Sequence, residues 1–334
     1  MKLLRKLPLV LFAFLCLRPA AHAEPANGVD MDYWYRQLCV FSEEIGCRPV
    51  GSDGEMEAMA YLRSEFAALG FSEEDDTLNH YEVLISPEGN LEAILPAGGC
   101  EEPAILIVCA HYDSAGPSEV DGVLYDVPGT RDNASGVAGM LTLARAFAAQ
   151  PAFHDTEMRF LAFTAEETGH QGSLTYVEGL SPQELERIVG VFNLDLLTVD
   201  VWLGEHVFSV DTLGMRTEDG YVSGSADAPA ENRVVRAIRL AMAEQNAFDA
   251  SRNGETHCVA RHLGMSDHES FHAFGVDAAN IAFRGNEQEG GSWHPYMHTP
   301  EDDLGDLDLV RTHQALDIVY TALRHLAADP AYGK

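Results

Sequence analysis

Five short stretches of this 334-residue chain carry histidine and carboxylate side chains in combinations suited to metal chemistry. They are Ala110-His111-Tyr112-Asp113-Ser114; Thr130-Arg131-Asp132-Asn133-Ala134-Ser135-Gly136; Ala165-Glu166-Glu167; Asn193-Leu194-Asp195; and His294 with His298-Thr299-Pro300-Glu301-Asp302. Acidic and imidazole groups gathered in one crevice repel one another or stay hydrated unless cations bind among them. Mixed imidazole and carboxylate donors suit zinc and, less specifically, manganese or cobalt. Singly, each stretch is weak. A histidine after a strand is more often a solvated loop residue, a Glu-Glu pair in an acidic protein is usually a solvated face, and an aspartate before a helix is most often a cap. Their shared position in the fold is what gives them weight.

That position follows from the elements around them. AILIVC (104–109), MRFLAFT (158–164), GVFNL (190–194) and NIAF (280–283) are apolar without alternation, the pattern of strands covered on both faces. Helical patterns lie between them. EMEAMAYLRSEFAALG ends on Gly70, SGVAGMLTLARAFAAQ stops before Pro151, and longer patterns cover 231–248 and 307–327. Ser181-Pro182-Gln183-Glu184 reads as a capping box with proline at the first helical position. Strands alternating with helices predict a largely parallel sheet with helices on both faces. Ligands of such sheets bind beyond the carboxyl ends of the strands, which is where all five stretches fall.

Charge narrows the partners. With 53 Asp and Glu against 21 Lys and Arg, the net charge is −32. A surface of that sign disfavours nucleic acid and anionic membranes. A 46% hydrophobic content fits a globular chain, and six cysteines are too few for a disulfide framework. No second long apolar run follows the N-terminus, which excludes a multi-span membrane protein. The first 23 residues read as an export signal: basic MKLLRK, apolar LPLVLFAFLCL, and the Ala21-His22-Ala23 cleavage pattern. Cleavage there predicts a secreted or periplasmic protein with no membrane attachment. Residues 24–334, which lack a linker or repeat, are expected to form one domain, with Lys334 as its only lysine. Cys39, Cys47, Cys100, Cys109 and Cys258 would remain, an odd number that leaves at least one free thiol. The short separation of Cys39 and Cys47 makes them the favoured pair.

Taken in order, these motifs resemble the secreted di-zinc exopeptidases of the bacterial leucyl aminopeptidase type, a family that includes glutamate carboxypeptidases and glutaminyl cyclases. The resemblance runs from RPVGS (48–52) to HTPEDDL (298–304), and AHYDS, DNASG, FTAEETG, NLD, SDHESF and HTPEDD carry it. It implies a three-layer α/β/α fold with a central mixed, mostly parallel sheet. It implies two Zn²⁺ ions per chain, with Asp132 bridging, His111 and Asp195 completing one site, and Glu167 and His298 the other. Mn²⁺ or Co²⁺ are possible substitutes. Three carboxylates and one bridging hydroxide would balance two zinc ions.

The resemblance further implies aminopeptidase activity on the N-termini of peptides or proteins, with Glu166 as the general base that takes a proton from the bridging water. Asp113, two residues after His111 on a strand end, would accept the ring N–H of His111. His268 in SDHESF is expected near the site, orienting substrate or serving a structural loop. His294 rivals His298 as a ligand, and only His298 is followed by the Thr-Pro-Glu-Asp of the family pattern. His170, His257 and His262 read as surface or loop residues. The acidic SEVDGVLYD (118–126) would form a rim near the site mouth. Two alternatives accompany this reading: a glutaminyl-cyclase-like transferase needing one catalytic metal, and a non-catalytic binding domain retaining the fold. The resemblance does not fix the preferred N-terminal residue.

Overall fold

The uninterrupted apolar runs become the central strands. In the computed structural model, which describes residues 28–201, 207–212, 216–217, 220–221, 232–245, 258–262, 265–284 and 294–332, the strands in chain order are β1 (Leu78–Val83), β2 (Ser86–Leu95), β3 (Ala104–His111), β4 (Ser118–Val120), β5 (Val123–Tyr125), β6 (Thr156–Phe163), β7 (Ile188–Leu194), β8 (Val207–Thr212), β9 (Arg216–Thr217), β10 (Gly220–Tyr221), β11 (Cys258–His262) and β12 (Ala278–Arg284). The α-helices are α1 (Met31–Cys39), α2 (Asp53–Ala68), α3 (Ser135–Ala148), α4 (Gln171–Gly179), α5 (Pro182–Arg187), α6 (Arg233–Gln245), α7 (His268–His272) and α8 (Leu309–Ala328).

Eight strands form one mixed sheet in the order β1-β2-β6-β3-β7-β12-β8-β11. Its centre is parallel, with β3 between β6 and β7 and β12 beside β7. The antiparallel hairpin β1–β2 closes one side, and β8 runs antiparallel to β12 at the other, with β11 parallel to it. Alternate residues of β3 show why its run is apolar throughout. Leu106, Val108 and Ala110 enter a core shared with α1, α2, α3, α6 and α8, whereas Ile105, Ile107 and Cys109 enter a second core with Tyr176 and Val177 of α4 and Phe271 of α7. Each fully buried leucine, isoleucine, valine or phenylalanine among them stabilises the fold by about 1.5–3 kcal/mol. Helices thus cover both faces, and the architecture is the expected α/β/α sandwich.

Local signals behave as their chemistry requires. Ser52 caps α2 by accepting the Glu55 N–H at 3.1 Å, and Gly70 follows that helix at φ +99°, the left-handed conformation glycine adopts freely. The Ser181–Glu184 capping box forms, with Pro182 opening α5. The hairpin β1–β2 at the sheet edge was not legible, because its first strand is only half buried and mixes polar with apolar residues.

The favoured Cys39–Cys47 disulfide is not formed. Both are free thiols, as are Cys100 and Cys109. The Cys47 thiol turns instead towards the Ala115 carbonyl at 3.7 Å. Residues 118–126 form an exposed β4–β5 hairpin with Leu124 and Tyr125 open to solvent. The segment read as an export signal lies outside the described residues, as do the side chains of His257 and His262. Among the described residues no helix is long and apolar enough to cross a membrane.

Candidate metal centre

Three strand ends converge. His111 is the last residue of β3, Glu166 and Glu167 follow β6, and Asp195 follows β7 directly. Asp132 lies in the turn Thr130–Ala134 that leads into α3, with non-helical backbone angles and a cis peptide to Asn133. Two glycines allow helices to approach these strand ends. A Cβ on Gly136 would stand 2.0 Å from the Leu194 carbonyl, and one on Gly172 would stand 2.1 Å from that of Thr164. Asn133 ties the first approach by donating to the same Leu194 carbonyl at 2.8 Å. Asp132 is thereby held beside Asp195.

Two groups of potential ligands result: His111, Asp132 and Asp195; and Asp132, Glu167 and His298, with the ligand atoms of each within 4.8 Å of one another. Asp132 belongs to both. Its Oδ1 is 3.2 Å from His111 Nε2 and its Oδ2 is 3.1 Å from His298 Nε2. Asp195 Oδ1 is 3.7 Å from His111 Nε2, and Glu167 Oε2 is 3.0 Å from His298 Nε2. His294 joins neither group; it is buried with Nε2 3.3 Å from Asp200.

The donor set fits divalent cations. His111 Nε2, Asp195 Oδ1 and Glu167 Oε1 are buried with no hydrogen-bond partner, which costs about 1–3 kcal/mol apiece unless something binds them. The proton affinities express the same need for positive charge. Burial opposes the charged form of His111, but Glu166, Asp113, Asp132 and Asp195 outweigh it and raise its pKa well above the usual imidazole range. Hydrogen bonds to Asp132 and Glu167 push His298 up to about 11. Asp132, although buried, is held below the usual carboxylate range by the two imidazoles. Burial raises Glu166 well above that range, and burial together with Asp132 raises Glu167.

Surrounding residues fix the geometry. The Asp113 carbonyl is 3.2 Å from His111 Nδ1 and its carboxylate 3.5 Å, so the expected ring contact is made mainly by the backbone. The carboxylate instead accepts the backbone N–H groups of Glu166 and Glu167. Three residues adjoining or within the groups, Ala165, Leu196 and His298, hold left-handed backbone angles, each costing about 1–3 kcal/mol that the packed surroundings must offset. Arg48 is fully buried and donates to the carbonyls of Tyr112 (2.7 Å), Pro128 (2.7 Å) and Gly129 (2.9 Å), joining the His111 and Asp132 segments. Arg131 pairs with Asp200 and Asp302.

His268 is not drawn into either group. It is buried at the start of α7, edge-on to His272 with ring centroids 6.2 Å apart. Of its neighbours, Asp267 is buried, which pushes its carboxyl up to about 6, and Glu269 reaches His170. Sequence reading passed over Arg48 and Arg131 and read His170 as a surface or loop residue. A lone basic residue in a loop carries no periodic signal, although RPVGS and the Arg of TRDNASG stood inside quoted motifs.

The chain is 36% identical over 234 residues to aminopeptidase YwaD of Bacillus subtilis strain 168, an alignment covering 70% of this chain and 44% of that protein. It is 25% identical over 218 residues to the alkaline phosphatase isozyme conversion protein of Escherichia coli K12, covering 62% of this chain and 58% of the relative. The chain thus spans about half the length of these curated relatives. In fold it matches BSAP, a zinc aminopeptidase from Bacillus subtilis, with a TM-score of 0.69 at 23% identity over 91% of this chain and 96% of that one. It matches Porphyromonas gingivalis glutaminyl cyclase with a TM-score of 0.69 at 15% identity, covering 90% and 99%. The model of peptidase family M28 matches residues 90–323, which include every residue of both candidate ligand groups, and the chain belongs to that family.

Proposed function

We propose that the protein is a zinc-dependent aminopeptidase that removes N-terminal residues from peptides or proteins. The observation that carries the reading is the sharing of Asp132 between two three-residue ligand groups, one oxygen turned to each histidine. His111 and Asp195 would hold one zinc, Glu167 and His298 a second, with Asp132 common to both. Bound there, the ions would supply Lewis acidity towards the scissile carbonyl and make water acidic near neutral pH.

The chain supplies the proton transfer. Glu166 accepts a proton from the attacking water as the water oxygen bonds to the carbonyl carbon. It delivers that proton to the departing amine nitrogen as the C–N bond breaks. Its buried carboxyl, with raised proton affinity, suits both halves of that exchange. Asp113 keeps Glu166 and Glu167 in register through their backbone amides. The second ligand group favours this hydrolase over a one-metal cyclase. The basic and apolar N-terminal segment with its cleavage pattern at Ala23 supports export as part of the same reading, with residues 24–334 as one catalytic domain.

Hydrolysis of aminoacyl-nitroanilides tests the proposal. Activity should vanish with a chelator and return with zinc. An inactive zinc-replete protein, across basic, acidic, aromatic and aliphatic residues, would refute it.

A further inference from the structure

Glu166 meets a different imidazole with each of its carboxylate oxygens. Oε2 is 3.9 Å from His111 Nε2, on the metal-ligand side. Oε1 is 3.4 Å from Nε2 of His170, four residues along the chain. The other ring nitrogen of His170, Nδ1, is 3.7 Å from Glu269 Oε2 on α7. His170 therefore stands between two carboxylates, one of them the proposed base.

The local backbone holds the ring there. The N–H of His170 donates to the Glu166 carbonyl at 2.9 Å, closing a turn that brings positions 166 and 170 together. His170 occupies the left-handed region at φ +56°, a conformation that histidine tolerates better than branched or bulky residues. Ser173 fixes the brace from behind. Its hydroxyl donates to the His170 carbonyl at 3.1 Å and shares a 2.8 Å hydrogen bond with Ser270, which docks α4 on α7 and sets Glu269 opposite the ring.

We infer that His170 is a positioning residue for Glu166. Its imidazole, braced by Glu269, holds one carboxylate oxygen so that the other stays turned towards the ligand groups. The need is physical. A carboxylate on a freely rotating side chain spends much of its time out of line with the attacking water, and a misplacement of about 1 Å can cost on the order of 10²-fold in rate. With the ring nitrogen of His111 given to a metal, His170 supplies the imidazole left to orient Glu166. This inference rests on Glu166 acting as the base.

The test uses the zinc-loaded full chain and an aminoacyl-nitroanilide. His170→Gly removes the imidazole and suits the left-handed backbone, so the fold is kept. Its kcat should fall about 10- to 100-fold, with KM, zinc content and thermal melting unchanged. His170→Gln, which returns a side-chain nitrogen, should recover part of the loss. In a Glu166→Gln background, His170→Gly should cost nothing further, because a residue acting through Glu166 has nothing left to position. Normal kcat in His170→Gly, or an additional loss in the double variant, would overturn the inference. A near-normal kcat in Glu166→Gln alone would instead remove the reading of Glu166 as base, so the two failures are distinguishable.

Discussion

Asp113 and Glu167, 54 positions apart in the chain, are joined through a backbone-to-side-chain hydrogen bond of 3.3 Å. The other oxygen of the same carboxylate accepts the Glu166 N–H at 3.2 Å. One buried aspartate two residues beyond β3 thus sets the backbone that carries both the proposed base and a proposed ligand. Asp113→Ala would leave two amide donors without an acceptor and should weaken zinc binding about 10- to 100-fold. Competition with a chromogenic chelator measures this, and unchanged affinity would show that the Glu166–Glu167 turn is held by other means.

Removing a proposed ligand should remove metal. His111→Ala and His298→Ala should each lower the zinc content of the purified protein, and Asp132→Ala should lower it most, since both groups use that residue. His294→Ala should retain full zinc, because His294 pairs with Asp200 and belongs to neither group. Plasma mass spectrometry of the four variants decides the matter. Loss of zinc in His294→Ala with retention in His298→Ala would reverse the assignment.

Glu166 and Glu167 are neighbours with different jobs. Glu167→Gln should weaken the metal bound with His298, because an amide is a poorer and uncharged ligand. Glu166→Gln should keep its zinc and lose turnover by about 10²–10⁴-fold, the usual contribution of a general base. KM should change little. Zinc content and kcat measured on the same preparations separate the two roles; if both variants behave like wild type, the pair is only an acidic turn.

The Arg131–Asp200–His294 cluster predicts a pH-dependent stability. Burial opposes the charge on Asp200, but His294 and Arg131 outweigh it and hold its carboxyl below the ordinary range. A depressed folded pKa stabilises the protein above the unfolded value of about 3.9 and loses that contribution as pH falls through the folded value. Asp200→Asn removes one of the two buried carboxylates that pair with Arg131, leaving Asp302, and should cost about 1.5–3 kcal/mol at pH 7. Urea unfolding at pH 7 and at about pH 2, below the depressed range of Asp200, should show the gap to wild type narrowing on acidification. A gap that does not depend on pH would mean that the loss is one of packing rather than of charge.

Much of the site was legible because strands and helices write their periods into the chain. Runs such as AILIVC and GVFNL are apolar at every position, since both faces are covered, and the residue that ends such a run emerges at the sheet's carboxyl edge. That rule made candidates of His111, Asp195 and the Glu166–Glu167 pair, and the roles assigned to them came from the family resemblance. The choice of His298 over His294 came from the Thr-Pro-Glu-Asp that follows it, and the structure puts His298 against Asp132 and Glu167.

Contacts that close through space were decided by the tertiary structure. Arg131 and Asp302 are 171 positions apart, and Ser173 and Ser270, which dock α4 on α7, are 97 apart. No spacing along one element encodes such pairs; they depend on how helices pack across the sheet and on where a few left-handed residues turn the backbone. His170 shows the difference most directly. Its sequence neighbourhood resembles a solvated turn, and only the positive φ at 170 and the docking of α7 bring its ring between Glu166 and Glu269. The same physics left Cys39 and Cys47 unpaired: eight positions of sequence separation say nothing of the direction in which two thiols point.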